Sequence, residues 1–311
     1  MKLSVMMITY NHGRYLPEAL DSALSQRVNF DYEIVVGEDC STDGTREILM
    51  DYSRKYPGRI VTLLQDQNVG TMRNFEATLA SCKGEYVAFL EGDDSWLSAN
   101  KLQSQVDFLD ANPNYAICCA RARILNETSQ SAPAIYPECP AGTYSIENLL
   151  GGNLIATCTA VCRGRAIGVM PRWFHELKMG DWPLFAIAAT SGKIHLIDEV
   201  LALYRVHPGG IWSALKEIER QKAIIEMLKA VDKHLGYQYA KIVRRTIAGC
   251  YCAMANISKE ENKRATTAKY LLACVWNRGW VLEGRRRMMA SLAAYTLTGS
   301  SYKIFSRKRE T

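Results

Sequence analysis

The 311-residue chain has the composition of an ordinary globular protein, with 48% hydrophobic and 23% charged residues and a net charge of +6. No apolar run approaches the roughly 18 residues that a membrane-spanning helix needs, and the N-terminal residues resemble a strand more than a signal peptide. Because the ten cysteines are scattered and lack zinc-type pairing, we expect reduced thiols in a cytoplasmic protein.

Strand-like and helix-like segments alternate over about the first 125 residues. The predicted strands are residues 3–9, 33–37, 60–64, 85–90 and 115–121. Apolar side chains spaced by three and four residues predict amphipathic helices between them, through Leu16, Leu20 and Leu24, then Ile48, Leu49 and Tyr52, then Met72, Phe75 and Leu79, then Leu102, Val106 and Leu109. This alternation predicts an α/β fold with a mostly parallel sheet flanked by helices.

The sequence pattern changes after about residue 125. Residues 126–150 are rich in Asn, Ser, Pro and Gly and indicate a loop on the substrate side. Residues 157–162 and 193–198 resemble added strands, with a helix from about residue 181 to 190 between them. Beyond Ser213 the pattern is helical. We therefore expect a catalytic domain at 1–213 and a helical C-terminal region at 214–311.

The ends of the first two predicted strands carry polar and aromatic side chains. Tyr10 and Asn11 follow the first strand, and Asp39 follows the second. A tyrosine ring can stack on a nucleotide base, and a carboxylate can accept a hydrogen bond from the base. Neither turn has the spacing of a P-loop or of a dinucleotide-binding glycine motif. The second turn also has the composition of an ordinary helix N-cap.

Three carboxylates follow the strand at residues 85–90. Glu91, Asp93 and Asp94 stand in a row interrupted by Gly92. Ligands of open parallel sheets bind beyond the carboxyl ends of the strands, and clustered acids there repel one another unless a positive charge joins them. A divalent cation such as Mg2+ or Mn2+ bound to a diphosphate would supply that charge. The alternative is an acidic turn that caps the next helix.

In order along the chain, these motifs resemble family 2 glycosyltransferases. The matching segments are Thr9-Tyr-Asn11, Glu38-Asp39 with Ser41-Thr-Asp43-Gly-Thr45, Asn68-Val-Gly70, Leu90-Glu-Gly-Asp-Asp94 and, further on, Gly180-Asp-Trp182 and Tyr204-Arg-Val-His207. The resemblance implies a GT-A (Rossmann-like) fold, a nucleotide-sugar donor, inversion at the anomeric carbon and a Mn2+ or Mg2+ cofactor. It does not extend beyond about residue 215.

The resemblance also implies roles at the matching positions. The metal ligands would be Asp93 and His207, and the general base would be Asp181, although a helix cap is the alternative for Asp181. The remaining residues fall into three groups: nucleotide-binding residues Thr9, Tyr10, Asn11, Glu38, Asp39 and Arg73; donor sugar or diphosphate contacts Glu91, Gly92, Asp94 and His207; and acceptor contacts Trp182 and Trp212.

Alternative interpretations apply to three positions: Arg73, Lys101 and His12. Arg73 and Lys101 fit sugar or phosphate contacts, but they fit solvated helix positions as well. His12 fits a place near the pyrophosphate or one in solvent. Where the family usually has Asp, this chain has Glu91, and where it usually has Glu-Asp, this chain has Gly180 before Asp181.

The C-terminal end is strongly basic. Residues 285–311 hold seven basic residues and one acid, with an apolar segment at 288–297 between two basic clusters. This pattern is typical of a helix on an anionic membrane surface, here the inner face of the cell membrane, but also of a helix packed on the protein body. We expect a glycan or lipid-linked acceptor and no nucleic-acid partner.

Two other functions share part of this pattern. A nucleotidyltransferase would use a similar sheet and acidic metal site, but its usual glycine-rich, lysine-containing N-terminal loop is missing from the sequence. A non-catalytic scaffold that binds nucleotide or partner proteins would not need the acidic residues. Glycosyl transfer is therefore the preferred interpretation, with UDP as the expected nucleotide and polysaccharide synthesis as the expected context.

Overall fold

The computed structural model describes residues 1–129, 132–277 and 292–296. These residues form two units. One comprises Met1–Leu149 with Asn153–Ala214, and the other comprises Leu150–Gly152 with the described residues from Leu215 onward. The first unit contains the sheet and every candidate site residue identified from the sequence.

A mixed sheet lies at the centre of the first unit. Within the described residues its strands are β1 (Leu3–Thr9), β2 (Tyr32–Glu38), β3 (Ile60–Leu64), β4 (Tyr86–Phe89), β5 (Ser95–Trp96), β6 (Tyr115–Asn126), β7 (Ala134–Tyr136), β8 (Gly142–Tyr144), β9 (Val161–Arg163) and β10 (Lys193–Val206). The order across the sheet is β3-β2-β1-β4-β9-β6-β10-β5, while β7 pairs with β6 and β8 pairs with β10.

The four strands from β3 to β4 are parallel, and β6 and β10 are parallel to each other. Thr9 pairs with Glu38 at the end of β1 and β2, and the Gly92 N–H donates to the Ile8 carbonyl at 3.0 Å. The chain therefore leaves β1, β2 and β4 at the same edge of the sheet. The segments that follow these strands meet there, as expected for a parallel sheet.

Helices cover the sheet with their apolar faces, and the buried core of the unit runs through Leu16, Leu20, Leu49, Leu102 and Val106. The helices with residues in this unit are α1 (Leu16–Leu24), α2 (Thr45–Lys55), α3 (Thr71–Ser81), α4 (Lys101–Ala111), α5 (Ile146–Gly151), α6 (Gly164–Ile167), α7 (Asp181–Ala188) and α8 (Ile211–Ala214), and the last two residues of α5 belong to the second unit. The fold prediction of an α/β sheet flanked by helices is confirmed.

Four predicted segments differ from the observed ones, and one of them is β6, which extends to Asn126 and not to residue 121. The strand expected at residues 157–162 begins instead with a 3-10 turn, Thr157–Thr159, because the Thr159 N–H and hydroxyl both bond to the Ala156 carbonyl. Strand β9 follows this turn and is antiparallel to β4 and β6. The expected loop at 126–150 contains β7, β8 and α5, and β10 is longer than predicted.

The second unit is helical. Its helices are α9 (Glu217–His234), α10 (Ala240–Glu260) and α11 (Arg264–Trp276), and residues 292–296 are also helical. Its core includes Ala248, Cys252, Leu271 and Cys274. Among the described residues, no helix combines the length and the apolarity required to cross a bilayer. Most of the basic segment at 285–311 lies outside the described residues.

A glycine in β2 lets α3 pack close behind the site. The Asn74 side chain of α3 donates to the Gly37 carbonyl at 2.9 Å, one residue before Glu38. A Cβ atom at position 37 would lie 1.9 Å from Thr78 Oγ1 and 2.7 Å from Asn74 Oδ1. Both atoms are buried, so a larger residue would displace α3 from the strand.

We therefore expect Gly37→Ala to lower the free energy of unfolding by about 1–3 kcal/mol, the usual cost of overpacking a core. Denaturant titration followed by circular dichroism measures this change. Gly151→Ala is the matched control, because a Cβ there meets nothing within 4 Å, and its effect should stay within about 0.5 kcal/mol. Equal stability of Gly37→Ala and the wild type would contradict this packing.

Candidate active site

A carboxylate and two imidazoles meet where β1, β4 and β10 end. His207 Nε2 lies 3.0 Å from Asp93 Oδ2, and His12 Nε2 lies 3.6 Å from the same oxygen. One ligand atom from each of the three residues lies within 4.8 Å of the others. The structure thus brings the predicted metal ligands Asp93 and His207 together and adds His12 to them.

The three side chains are shielded from water. His207 is 4% exposed, and its ring centroid lies 4.8 Å from that of Tyr15. Burial lowers the pKa of His12, and nearby His207 lowers it further against the opposing charge of Asp93. Burial alone would raise the pKa of Asp93, but the hydrogen bond with His207 and the charges of both imidazoles leave it below its ordinary value.

Buried polar atoms at this edge indicate a ligand. Within the described residues, Thr9 Oγ1, His12 Nδ1 and Glu91 Oε2 are buried and have no hydrogen-bond partner. Buried polar groups are normally paired, so such atoms need an explanation, and a ligand or ion is one. Two imidazoles and a carboxylate suit a divalent transition-metal cation such as Mn2+ better than Mg2+, which prefers oxygen ligands. The donor set therefore fits the cofactor that the sequence predicts.

Close packing around Gly92 shapes this edge. A Cβ at position 92 would lie 2.7 Å from Thr9 Oγ1 and 3.1 Å from His12 Nδ1. The absence of a side chain is therefore what allows the turn after β4 to approach the end of β1. Gly92 contributes to the site by this close approach, which keeps the predicted donor region narrow.

The other two acids of the motif, Glu91 and Asp94, have different surroundings. Burial and then the charges of Asp93 and Asp181 raise the pKa of Glu91 well above its ordinary range. Asp94 is only 1% exposed, and its Oδ1 accepts the Arg205 N–H at 2.8 Å. Asp94 Oδ1 thereby fixes the end of β10, while Asp94 Oδ2 is buried without a hydrogen-bond partner among the described residues, so the donor contact of Asp94 stays a prediction.

Arg205 supports the acidic turn that contains Asp93, a role that the sequence analysis missed. Its guanidinium donates to the Asp93 carbonyl at 2.8 Å, forms an ion pair with Glu18 of α1 and lies 5.3 Å from the Tyr15 ring centroid. The available signal was its position between Tyr204 and His207 in an otherwise apolar strand end. Arg205 thus joins α1, the acidic turn and β10.

The turns after β1 and β2 are joined by hydrogen bonds. Asn11 has a φ of 55°, its N–H donates to Ser41 Oγ at 2.9 Å, and its side-chain oxygen accepts the Thr42 N–H at 2.9 Å. Tyr10 beside it is 39% exposed, so its ring is accessible to a base. The left-handed conformation of Asn11 places these two turns next to each other.

Asp39 and Glu38 at the end of β2 are both buried. Asp39 accepts the backbone N–H groups of Val69 and Gly70 at 2.7 and 3.0 Å, which orients its carboxylate. Glu38 is fully buried, where it accepts the Ser41 N–H and pairs with Arg46. The nucleotide contact predicted for Glu38 does not fit this placement, because both of its carboxylate oxygens have partners within the protein.

The two basic residues suggested as sugar or phosphate contacts, Arg73 and Lys101, differ in their exposure. Arg73 is exposed on α3, so its role as a donor contact stays a prediction. Lys101 is fully buried: its Nζ donates to Gln105 at 2.8 Å and lies 4.4 Å from the Trp96 ring centroid. Burial lowers the pKa of Lys101 to about 7. It is neither a phosphate contact nor a solvated helix residue, and both readings from the sequence are wrong.

Asp181 is the first residue of α7 and is partly buried. Its Oδ2 accepts the Thr157 hydroxyl at 2.9 Å, and its charge raises the pKa of Glu91, which places it beside the acidic turn. Burial raises the pKa of Asp181, whereas hydrogen bonds from the Trp182 N–H and Thr157 lower it. A partly buried carboxylate of raised pKa is suited to accept a proton.

The two tryptophans predicted at the acceptor site have different surroundings. Trp182 is 6% exposed, and its indole N–H donates to the Leu149 carbonyl at 3.0 Å. It packs in the protein interior and offers no open ring face, so its acceptor role does not fit. Trp212 is partly exposed in α8, and its acceptor role stays a prediction.

A known protein family matches more than half of the chain. Glycosyl transferase family 2 matches residues 4–170. The chain belongs to glycosyltransferase family 2. This membership favours glycosyl transfer over the nucleotidyltransferase and scaffold alternatives.

Relatives of the chain are known from several bacteria. An uncharacterized protein of Mycobacterium tuberculosis is 34% identical over 216 residues, which are 68% of this chain and 60% of that protein. A Bacillus subtilis glycosyltransferase, provisionally named for teichuronic acid biosynthesis, is 36% identical over 107 residues, or 34% of this chain and 41% of the relative. The chain thus spans less than two thirds of the length of these relatives.

Two solved structures have a similar fold. TarS of S. aureus in complex with UDP-GlcNAc has a TM-score of 0.66 at 19% identity, covering 95% of this chain and 88% of TarS. A mannosyltransferase of Pyrobaculum calidifontis in complex with GDP-Man and Mn2+ has a TM-score of 0.54 at 16% identity, covering 96% and 88%. At these identities the likeness shows the GT-A-like fold.

We expect His12→Ala to weaken Mn2+ binding by about tenfold or more, because an imidazole is a ligand that Mn2+ accepts and Mg2+ avoids. Electron paramagnetic resonance of free Mn2+ in a titration measures the affinity for Mn2+. The affinity for Mg2+, measured by competition with Mn2+, should fall less. His234→Ala, at the exposed end of α9, is the control. Equal Mn2+ affinities of His12→Ala and the wild type would remove His12 from the ligand set.

Proposed function

We propose that this chain transfers a sugar from a nucleoside diphosphate sugar, with UDP as the nucleotide, to a hydroxyl group of a glycan or lipid-linked acceptor, with inversion at the anomeric carbon. The observation that carries this proposal is the His12–Asp93–His207 cluster at the carboxyl edge of the sheet, coupled through Glu91 to Asp181. We place the diphosphate at this cluster and the base for the acceptor at Asp181. We assign this activity to the domain at 1–213.

Tyr10 and Asp39 support the choice of a UDP-sugar. The exposed Tyr10 ring can stack on the base. The Asp39 carboxylate is oriented by two backbone N–H groups, and a carboxylate has about four acceptor sites, so it can still accept the N3–H of uracil. Asn11 joins the two turns, and Thr9 Oγ1 is available to a donor group.

The diphosphate would lie next to the cluster of imidazoles and carboxylates. His12, Asp93 and His207 would hold a Mn2+ ion, which would offset the negative charge that develops on the leaving diphosphate. Asp93 is the proposed anionic ligand, because its Oδ2 lies 3.0 Å from His207 Nε2 and 3.6 Å from His12 Nε2. Arg205 supports this turn by donating to the Asp93 carbonyl, and the charge of Asp181 acts on Glu91, two residues before Asp93.

Asp181 is the proposed general base. It takes the proton of the acceptor hydroxyl as that oxygen bonds to the anomeric carbon, and the bond from this carbon to the diphosphate breaks with its electron pair leaving on the diphosphate. The products are a glycosylated acceptor and a nucleoside diphosphate, and Asp181 later releases the proton to water. Its partly buried position limits competing attack by water.

A glycan or lipid-linked acceptor is supported by three features. The family includes a relative provisionally named for teichuronic acid biosynthesis. Trp212 is partly exposed and can stack on a sugar face. The basic residues at 285–311 suit an anionic membrane surface on which a lipid-linked acceptor would lie, and they also suit a helix packed on the protein.

Asp93→Asn should abolish metal-dependent donor binding, because the amide no longer supplies a negative ligand oxygen. Isothermal titration calorimetry with UDP, in the presence and absence of Mn2+, measures this. Asp107→Asn in α4, an exposed carboxylate, is the matched control and should bind as the wild type does. Unchanged UDP affinity of Asp93→Asn with Mn2+ would remove Asp93 from the metal site.

Asp181→Asn should leave UDP binding intact while turnover falls by about a hundredfold to ten-thousandfold, the usual contribution of a general base. Because a base must be ionised, wild-type activity should fall as the pH drops through the raised pKa of Asp181. Radiolabelled sugar transfer, followed across pH, measures both effects. Normal turnover of Asp181→Asn would rule this residue out as the base.

A further inference from the structure

We propose that Thr157 is the positioning residue of the general base: its hydroxyl orients the Asp181 carboxylate and stabilises its ionised form. This inference rests on the proposed function of Asp181. Thr157 Oγ1 donates to Asp181 Oδ2 at 2.9 Å. A hydroxyl that donates to a carboxylate favours its charged form, since the protonated acid accepts this hydrogen bond more weakly.

The Thr157 hydroxyl belongs to a rigid 3-10 turn. The Trp96 indole N–H donates to the Cys158 carbonyl at 2.7 Å, and the Gln105 side chain donates to the Thr159 carbonyl at 2.9 Å. The Ala160 N–H closes the turn on the Thr157 carbonyl at 3.0 Å. Two elements beside the acidic motif, β5 and α4, therefore determine where the Thr157 hydroxyl points.

This connection also explains the buried Lys101. Its ammonium donates to Gln105 Oε1, and the Gln105 amide then donates to the Cys118 and Thr159 carbonyls. The lysine thus completes the hydrogen bonding of the glutamine that holds the turn. A buried polar network in which each member is paired gives one defined arrangement, and here that arrangement ends at Thr157.

The groups that face Asp181 make its ionisation sensitive to one hydrogen bond. Burial raises its pKa, and the Trp182 N–H and Thr157 oppose this effect. Three titratable groups from other elements interact with its charge: Glu91 after β4, Tyr136 of β7 and Tyr204 of β10. Any negative charge on these groups disfavours ionisation of Asp181.

The decisive experiment compares Thr157→Val with Thr157→Ser. Valine has the shape of threonine without the hydroxyl. We expect the acid limb of its kcat/KM pH profile, measured with saturating Mn2+, to move upward by about one pH unit, since a hydrogen bond to a charged group contributes roughly this much. Thr157→Ser keeps the hydroxyl and should restore the wild-type limb. If Thr157→Val loses its near-UV circular dichroism, Thr157→Ala tests the same shift.

Thr159→Val is the matched control for damage to the turn. Its hydroxyl belongs to the same turn, but it is fully buried and donates to the Ala156 carbonyl at 2.7 Å, not to Asp181. We expect this variant to keep the wild-type acid limb. An acid limb that stays in place in the hydroxyl-free Thr157 variants, or that moves equally in Thr159→Val, would overturn the inference.

Failure of this inference can be distinguished from failure of the proposed function. If Asp181→Asn is inactive and Thr157→Val has the wild-type acid limb, Asp181 remains the base and only the role of Thr157 is overturned. If Asp181→Asn turns over normally, the proposed base is wrong, and the role of Thr157 is overturned with it.

Discussion

The close spacing of three acids within four residues, one fully buried and two partly buried, is the constraint on which the site depends. Glu91, Asp93 and Asp94 would repel one another away from water, and the structure resolves this differently for each. Asp93 lies beside two imidazoles, Asp94 accepts the Arg205 N–H, and Glu91 keeps a raised pKa and an unpartnered oxygen. A divalent cation at Asp93 would relieve the remaining repulsion, and we therefore expect metal binding and donor binding to be coupled.

The fold was largely predictable because its elements are local patterns. Strands β1 and β3 were predicted to the residue, and β2 and β4 within one residue at each end. The turn Thr157–Thr159 was not predicted, since its apolar and Thr-rich composition also suits a strand, and side-chain bonds from Trp96 and Gln105 decide the outcome. Such bonds join residues distant in sequence and leave no local pattern.

The site was predictable where residues directly follow strands. Asp93 and His207 come together as expected, although they are 114 residues apart. The wrong predictions concern residues whose partners lie in the protein interior. Lys101 has the spacing of a helix surface residue, yet it is buried against Gln105 and Trp96. The roles of Arg205 and Thr157 depend on contacts between separate elements, which composition and spacing do not encode.

The most direct test of metal-coupled donor binding is the thermal stability of the purified protein with UDP, GDP, dTDP, CDP and ADP, each with Mn2+ and with EDTA. A ligand at a hundredfold excess over its Kd stabilises the native state by about 2.7 kcal/mol, which is readily measured. We predict a shift with UDP that requires Mn2+. No shift with any nucleotide in Mn2+, or an equal shift in EDTA, would contradict the coupling of the acidic cluster to the donor.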